Sequence, residues 1–157
     1  TAMLGIKGIM PAIVILALAY SLNDLSQSMN TAGFIVSNTE SWLTPKVLPV
    51  LAFLITGIVA FSTGTSWGTY AIMIPIAVPL AFNFSGNELN TIVYATIAAI
   101  AGGGVFGDHC SPLSDTSILA STGAASDHID HIKTQMPYAL TIGFISVLIY
   151  LIIGWSI

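Results

Sequence analysis

The sequence has little charge. Aspartate, glutamate, lysine and arginine make up 6% of its 157 residues, against about 25% in soluble domains. Three of its residues are lysine and none is arginine. A soluble chain of this size could not cover its surface with so few charges, so an integral membrane protein is expected. The formal net charge of −4 is too thinly spread to suggest an acidic tail or a nucleic-acid partner. The single cysteine, Cys110, excludes an internal disulfide and any multi-cysteine metal site. Its plain role is that of a small buried hydrophobe, and the alternative is a position facing a pathway.

Hydrophobic residues, by contrast, make up 55% of the chain. At about 20 residues per crossing this amounts to four or five apolar elements in a single membrane domain, residues 1–157. That is small for a transporter pore, so a half-molecule or fragment is expected. The first apolar run, 8–22, is too short to span alone and must continue through a polar stretch to residue 36. This transmembrane segment, 8–36, places Asp24 near or within the membrane. There it is either an additional functional carboxylate or a helix cap at the interface. Residues 47–84 hold two short apolar runs around Ser62-Thr63-Gly64-Thr65-Ser66-Trp67-Gly68-Thr69. Together they measure about 45 Å as helix, too long for one crossing and right for two half-spans, so a re-entrant hairpin is expected. Residues 91–125 read as a transmembrane helix broken at GDHCSPLSD, with a first half to Gly107 and a second from Thr116. A polar interfacial stretch then precedes one uninterrupted spanning helix, 136–157, with Tyr138 and Trp155 as aromatic anchors.

Two interrupted segments facing each other are the sequence pattern that best marks a transporter site. Ionisable groups at membrane depth cost about 2.5 to 3.5 kcal/mol each and mark ion or substrate paths. Gly102, Gly103, Gly104 and Gly107 let a neighbouring helix approach and the backbone leave helical geometry. Pro112 removes an N–H and stops the helix from continuing undisturbed. Asp108 and Asp115 offer anionic oxygens. Ser111, Ser114, Thr116, Ser62, Thr63, Thr65 and Ser66 offer neutral ones. All are hard donors suited to Na⁺, with Asp108, Asp115, Ser62 and Thr65 as the expected ligands. A carboxylate out of water holds its proton more tightly, so H⁺ and Na⁺ compete for the same oxygens. That competition is what an exchanger needs. His109 either relays the proton or holds a carbonyl freed by the break. Asp127, His128, Asp130 and His131 form a second polar group, read either as helix capping by Ser126 or Asp127 or as a route for proton uptake. A zinc site there has only weak support, two or three ligands at an interface.

The stretches FSTGTSWGTYAIMIPIA and GDHCSPLSDTSILASTGAASDHIDHIKTQMPYAL resemble the NhaC-type sodium/proton antiporters of the ion-transporter superfamily. LSQSMNTAGFIV is only weakly similar to the family's preceding segment, and its insertion-like SQSMN departs from that pattern and leaves both readings of Asp24 open. The resemblance implies the C-terminal portion of a longer all-α transporter, one repeat of an inverted-repeat fold in which a hairpin and a broken helix meet. It implies a multi-pass protein of the bacterial cytoplasmic membrane, in contact with lipid, completed by its own N-terminal portion and acting as a homodimer. Its cargo is Na⁺ and H⁺, with no cofactor. The implied activity is Na⁺/H⁺ exchange. The alternative is Na⁺- or H⁺-coupled exchange of an organic anion, of malate/lactate type, or of an amino acid. A Ser-His-Asp hydrolase built from Ser111, His109 and Asp108 lacks a nucleophile turn. A purely structural subunit would not keep two polar interruptions.

Overall fold

The computed structural model describes residues 21, 25, 28, 29 and 43–156. Among these the chain is entirely helical: α1 is Leu48–Thr63, α2 Ser66–Phe84, α3 Thr91–Cys110, α4 Asp115–Gly123 and α5 His128–Ser156. The expected first transmembrane segment, as a continuous element, and Asp24 lie outside the described residues.

Each boundary has a local cause. Pro49 sits in the first turn of α1, where its missing N–H has no intrahelical partner to lose. The helix closes at Gly64, whose φ of 69° is the left-handed conformation that favours glycine. Its N–H donates to the Ala60 carbonyl at 2.9 Å. Thr65 then caps α2 through a long, 3.5 Å contact from the Gly68 N–H. Asn90 caps α3, accepting from the N–H groups of Ile92 at 3.0 Å and Val93 at 3.4 Å. Ser111 precedes Pro112 and adopts φ −81°, ψ 127°, the extended conformation that a following proline imposes. That is why α3 stops at Cys110. Ser114 restarts the chain as the cap of α4, its hydroxyl accepting from the Ser117 N–H at 3.2 Å.

α1 and α2 fold back on each other. Leu48, from the start of α1, packs with Leu80 and Ala81, from the end of α2, and with Ile92 and Val93, from the start of α3. A second cluster joins Ala52 and Phe53, Met73 and Ala77, and Ala99 and Ile100. So α3 runs alongside α1 in the same direction, and α2 runs opposite to both. The α1–α3 contact is made through backbone. A Cβ on Gly103 would collide with the Phe53 backbone, and one on Gly107 with the Gly57 carbonyl, the Ala60 methyl and the Phe61 nitrogen. α5 returns antiparallel along α1 and α3, with Gly143 against Phe106 and Gly154 against the Lys46 backbone. Phe53 stacks on Phe106 with ring centroids 5.5 Å apart, and the Tyr150 ring lies 5.6 Å from Phe53.

Three helices, α2, α3 and α5, are long and apolar enough to cross a membrane; α1, at 16 residues, is shorter. α5 carries much of its apolar surface outward, including Leu140, Ile142, Phe144, Leu148 and Ile152. Two elements differ from the sequence expectation in length. α3 continues through Asp108 to Cys110 and is about 30 Å long. α5 begins at His128 rather than at 136, because the Asp127 carboxylate accepts from the N–H groups of Ile129 at 2.9 Å and Asp130 at 3.1 Å. Of the two caps the sequence offered, Ser126 and Asp127, it is Asp127 that starts the helix, and residues 128–135 form its first turns.

Two outcomes follow from this packing. Gly107→Ala should destabilise by at least the 1–3 kcal/mol typical of overpacking, roughly, because backbone cannot move aside. Gly123→Ala, which meets nothing within 4 Å, should be neutral; equal thermal stability of the two variants in detergent would refute the packing. Because α1 and α2 are antiparallel, Lys46 and Asn87 lie at one end of the bundle. Single cysteines there, in a Cys110→Ala background, should react with an impermeant maleimide from the same side of the membrane.

Candidate functional site

The two interruptions meet. A Cβ on Gly64, in the turn between α1 and α2, would lie 2.6 Å from the Leu113 carbonyl oxygen in the break between α3 and α4. Ser111 fastens the same junction: its hydroxyl donates to the Phe61 carbonyl at 2.7 Å and accepts from the Leu113 N–H at 3.2 Å. The hairpin turn and the broken helix therefore form one polar layer.

At the centre of that layer is Asp108, in the last turn of α3 and 3% exposed. Its two oxygens are held separately: Oδ1 accepts from the Ser114 hydroxyl and Oδ2 from the Thr116 hydroxyl, both at 2.8 Å. The two hydroxyls are also 2.8 Å from each other, which closes a ring of three short contacts. The ring ties the end of α3 to the start of α4 across Pro112. Proton counting gives it a distinctive property. Each hydroxyl owns one proton, so an ionised ring has two protons for three contacts, and two hydroxyl oxygens face each other with nothing between them. One added proton satisfies all three contacts. A small hard cation resting on the same oxygens does the same by charge.

Asp108 and Thr116 line a cavity of about 1130 Å³ together with Ser66, Tyr70, His131 and Gln135. No lysine lines it. Of the hairpin hydroxyls expected at the site, Ser66 reaches this cavity. Ser62 and Thr63 are exposed and donate back to the carbonyls of Ile58 at 2.8 Å and Val59 at 2.9 Å, and Thr65 caps α2. Asp115 is exposed and outside the cavity lining, its carboxylate accepting from the Thr116 N–H at 2.8 Å. The two aspartates are thus in different surroundings, one enclosed and one at the open start of α4.

His109 lines the cavity, but its Nδ1 lies 2.8 Å from the carbonyl of Val105, one turn back inside α3, rather than from a carbonyl freed by the break. The polar group at the start of α5 divides. Asp127 caps the helix, Asp130 pairs with Lys133 at 3.3 Å on the surface, and His128 contacts the break loop through the Pro112 carbonyl. His131 faces the cavity with Nε2 buried and unpartnered. Among the described residues no three His, Cys, Asp or Glu side chains come together, so the site is a carboxylate among hydroxyls and not a cluster of acids.

Sequence reading passed over several polar cavity residues, Tyr70, Ser117, Gln135, Tyr138 and Ser146 among them. Tyr70 lies four residues after Ser66, on the same helix face, and donates its hydroxyl to the Ala101 carbonyl at 2.9 Å. Ser117, 3% exposed, lies three residues after Ser114 and lines the same space.

Residues 1–155 match the Na⁺/H⁺ antiporter family. The chain is similar to the arginine/ornithine antiporter ArcD of Halobacterium salinarum, 34% identical over 143 residues, covering 91% of this chain and 28% of that protein. It is similar to the Na⁺/H⁺ antiporter NhaC of Alkalihalophilus pseudofirmus, 31% identical over 153 residues, 97% of this chain and 32% of that one. With the malate-2H⁺/Na⁺-lactate antiporter of Bacillus subtilis it shares 27% identity over 114 residues, 73% of this chain and 23% of that one. The chain therefore spans less than a third of the length of these curated relatives. No solved structure matches it. The apolar helices, the polar layer where two interruptions meet and the match over almost the whole chain converge: the chain belongs to the Na⁺/H⁺ antiporter family.

Proposed function

We propose that this chain is the C-terminal portion of a secondary transporter that exchanges Na⁺ for H⁺ across the cytoplasmic membrane, with Asp108 as the group that carries either ion. The observation that carries this reading is the Asp108–Ser114–Thr116 ring of three short contacts, which in its ionised form has one proton too few and offers its oxygens to a proton or a hard cation. Occupancy by one excludes the other, so release of Na⁺ on one side and of H⁺ on the other follows from alternating access to a single site. Asp115, at the start of α4, serves as an outer carboxylate that attracts the cation before it reaches the ring. Ser66 supplies a neutral oxygen from the hairpin side. His131, unpartnered on the opposite wall, is the group through which protons reach the cavity. The hairpin enters the membrane without crossing it, and the N-terminal portion of the same polypeptide completes the path. The working unit is a homodimer, as the resemblance to NhaC-type proteins implies.

A second reading has a specific observation behind it. The enclosed carboxylate faces an open cleft, and one relative is an arginine/ornithine antiporter. A wall with one enclosed carboxylate offers a partner to an amino-acid ammonium group, and His109 and His131 in the same wall offer donors to its carboxylate.

Asp108→Asn should abolish Na⁺-driven proton flux in vesicles carrying the intact transporter while membrane insertion persists. Thr116→Ala should raise the apparent Na⁺ constant roughly tenfold and lower the maximal rate less, the loss of about one charge-assisted contact. Asp115→Asn should change that constant about two- to threefold. Wild-type-like flux from Asp108→Asn would reject the site. The second reading is decided separately: counterflow of labelled arginine or ornithine that needs no Na⁺, with no proton movement on adding Na⁺ alone, would replace Na⁺/H⁺ exchange by amino-acid exchange.

A further inference from the structure

The start of α2 is fixed to α3 by one side chain that the exchange chemistry does not use. Tyr70 seats its ring on Gly104, which is buried. A Cβ on Gly104 would fall onto that ring, 2.8 Å from Cζ and 2.9 Å from the phenol oxygen. From this seat the phenol reaches back along α3 and donates to the Ala101 carbonyl at 2.9 Å. Among the described residues this is the one hydrogen bond between α2 and α3. Trp67, one turn earlier on α2, meets the ring edge-on with centroids 6.3 Å apart.

The seat sets a register. α2 and α3 are antiparallel, so one turn back along α2 stays level with one turn forward along α3. From Tyr70 that step leads to Ser66, and from Gly104 it leads to Asp108. Residues four apart share a helix face, and Ser66, Tyr70 and Asp108 do line one cleft. Followed the other way, the same register brings Ala81 level with Val93, and these two pack in one cluster. We propose that Tyr70, seated on Gly104 and tied to Ala101, is the positioning residue that holds the Ser66 hydroxyl opposite Asp108.

The consequence for exchange rests on the Na⁺/H⁺ reading above; the register itself does not. A proton bonds to a single oxygen, so Asp108 binds it without help from the hairpin. A hard cation needs several oxygens at once, and Ser66 is the one that α2 brings. Tyr70 therefore acts on the affinity for Na⁺ and leaves that for H⁺ alone. Gly104 belongs to the same device. A methyl group there pushes the ring off its seat and the phenol away from Ala101, so Gly104→Ala and Tyr70→Phe break one tie by two routes.

Two measurements on the full-length transporter test this. In a Cys110→Ala background, Ser66→Cys and Asp108→Cys are joined by a short bifunctional thiosulfonate. The pair should crosslink, and adding Tyr70→Phe should slow the reaction about three- to tenfold, as expected for loss of one hydrogen bond. The second measurement keeps Asp108 and follows Na⁺-driven proton flux. Tyr70→Phe should raise the apparent Na⁺ constant by the same factor and leave the maximal rate within about twofold. Gly104→Ala should match it, and the double variant should be no worse than either, because one tie is broken only once. No crosslink with Tyr70 in place, or an equal rate in Tyr70→Phe, would overturn the register. A fall in maximal rate at an unchanged Na⁺ constant, or additive effects in the double variant, would overturn the positioning role. If the wild type shows no Na⁺-linked flux, Na⁺/H⁺ exchange fails and the crosslink still decides the tie.

Discussion

A backbone carbonyl without a partner is expensive where water is scarce, at several kcal/mol in hydrocarbon. The end of α1 at the hairpin turn and the break at Pro112 both leave such carbonyls, and the surrounding structure answers them one by one. The Phe61 carbonyl, at the hairpin turn, receives the Ser111 hydroxyl. The His109 and Pro112 carbonyls receive Gln135 and His128 from α5. Asp108 is enclosed by the same requirement, since a carboxylate at 3% exposure persists only where donors surround it. The break is therefore not a defect tolerated by the fold. It is the point at which four separate segments are fastened together.

That fastening depends on how closely α1 and α3 lie. Gly103 and Gly107 bring the two backbones into contact, which sets the hairpin turn level with the break. With larger residues the helices would stand farther apart, and Ser111 could not reach Phe61. Close helix packing through small residues and the chemistry of the polar layer are two aspects of one arrangement. The glycines act one and five residues before the charged group, on its position and not on its charge.

Much of this was legible in the sequence. The break at Pro112, the hydroxyl-rich turn near Gly64, the meeting of the two and the enclosed Asp108 all follow from residue types that interrupt helices or resist burial. The rotation of each side chain about its helix axis was not legible. Ser62 and Thr63 carry the same hydroxyl as Ser66 and Thr116, but they bond their own helix at i−4, a partner always available to serine and threonine, and Thr63 also meets the Thr69 hydroxyl across the turn. Asp115 looks equivalent to Asp108 in the motif, and yet it is exposed at the first position of α4. The early start of α5 turned on one capping carboxylate, Asp127. The partnership of His128 with Pro112 spans 16 residues, beyond any local periodicity.

The two arms of the hairpin differ mechanically. α1 is clamped along its length by backbone contact with Gly103 and Gly107. α2 contains Pro75 and Pro79, and each removes the N–H that would bond the carbonyl four residues back, those of Ala71 and Pro75. These two missing rungs are themselves four residues apart, on one face, so α2 bends most easily about that face. The hairpin therefore has a stiff arm and a compliant one. With the Gly64 turn held against the break at the end of α1, bending of the hairpin falls on α2.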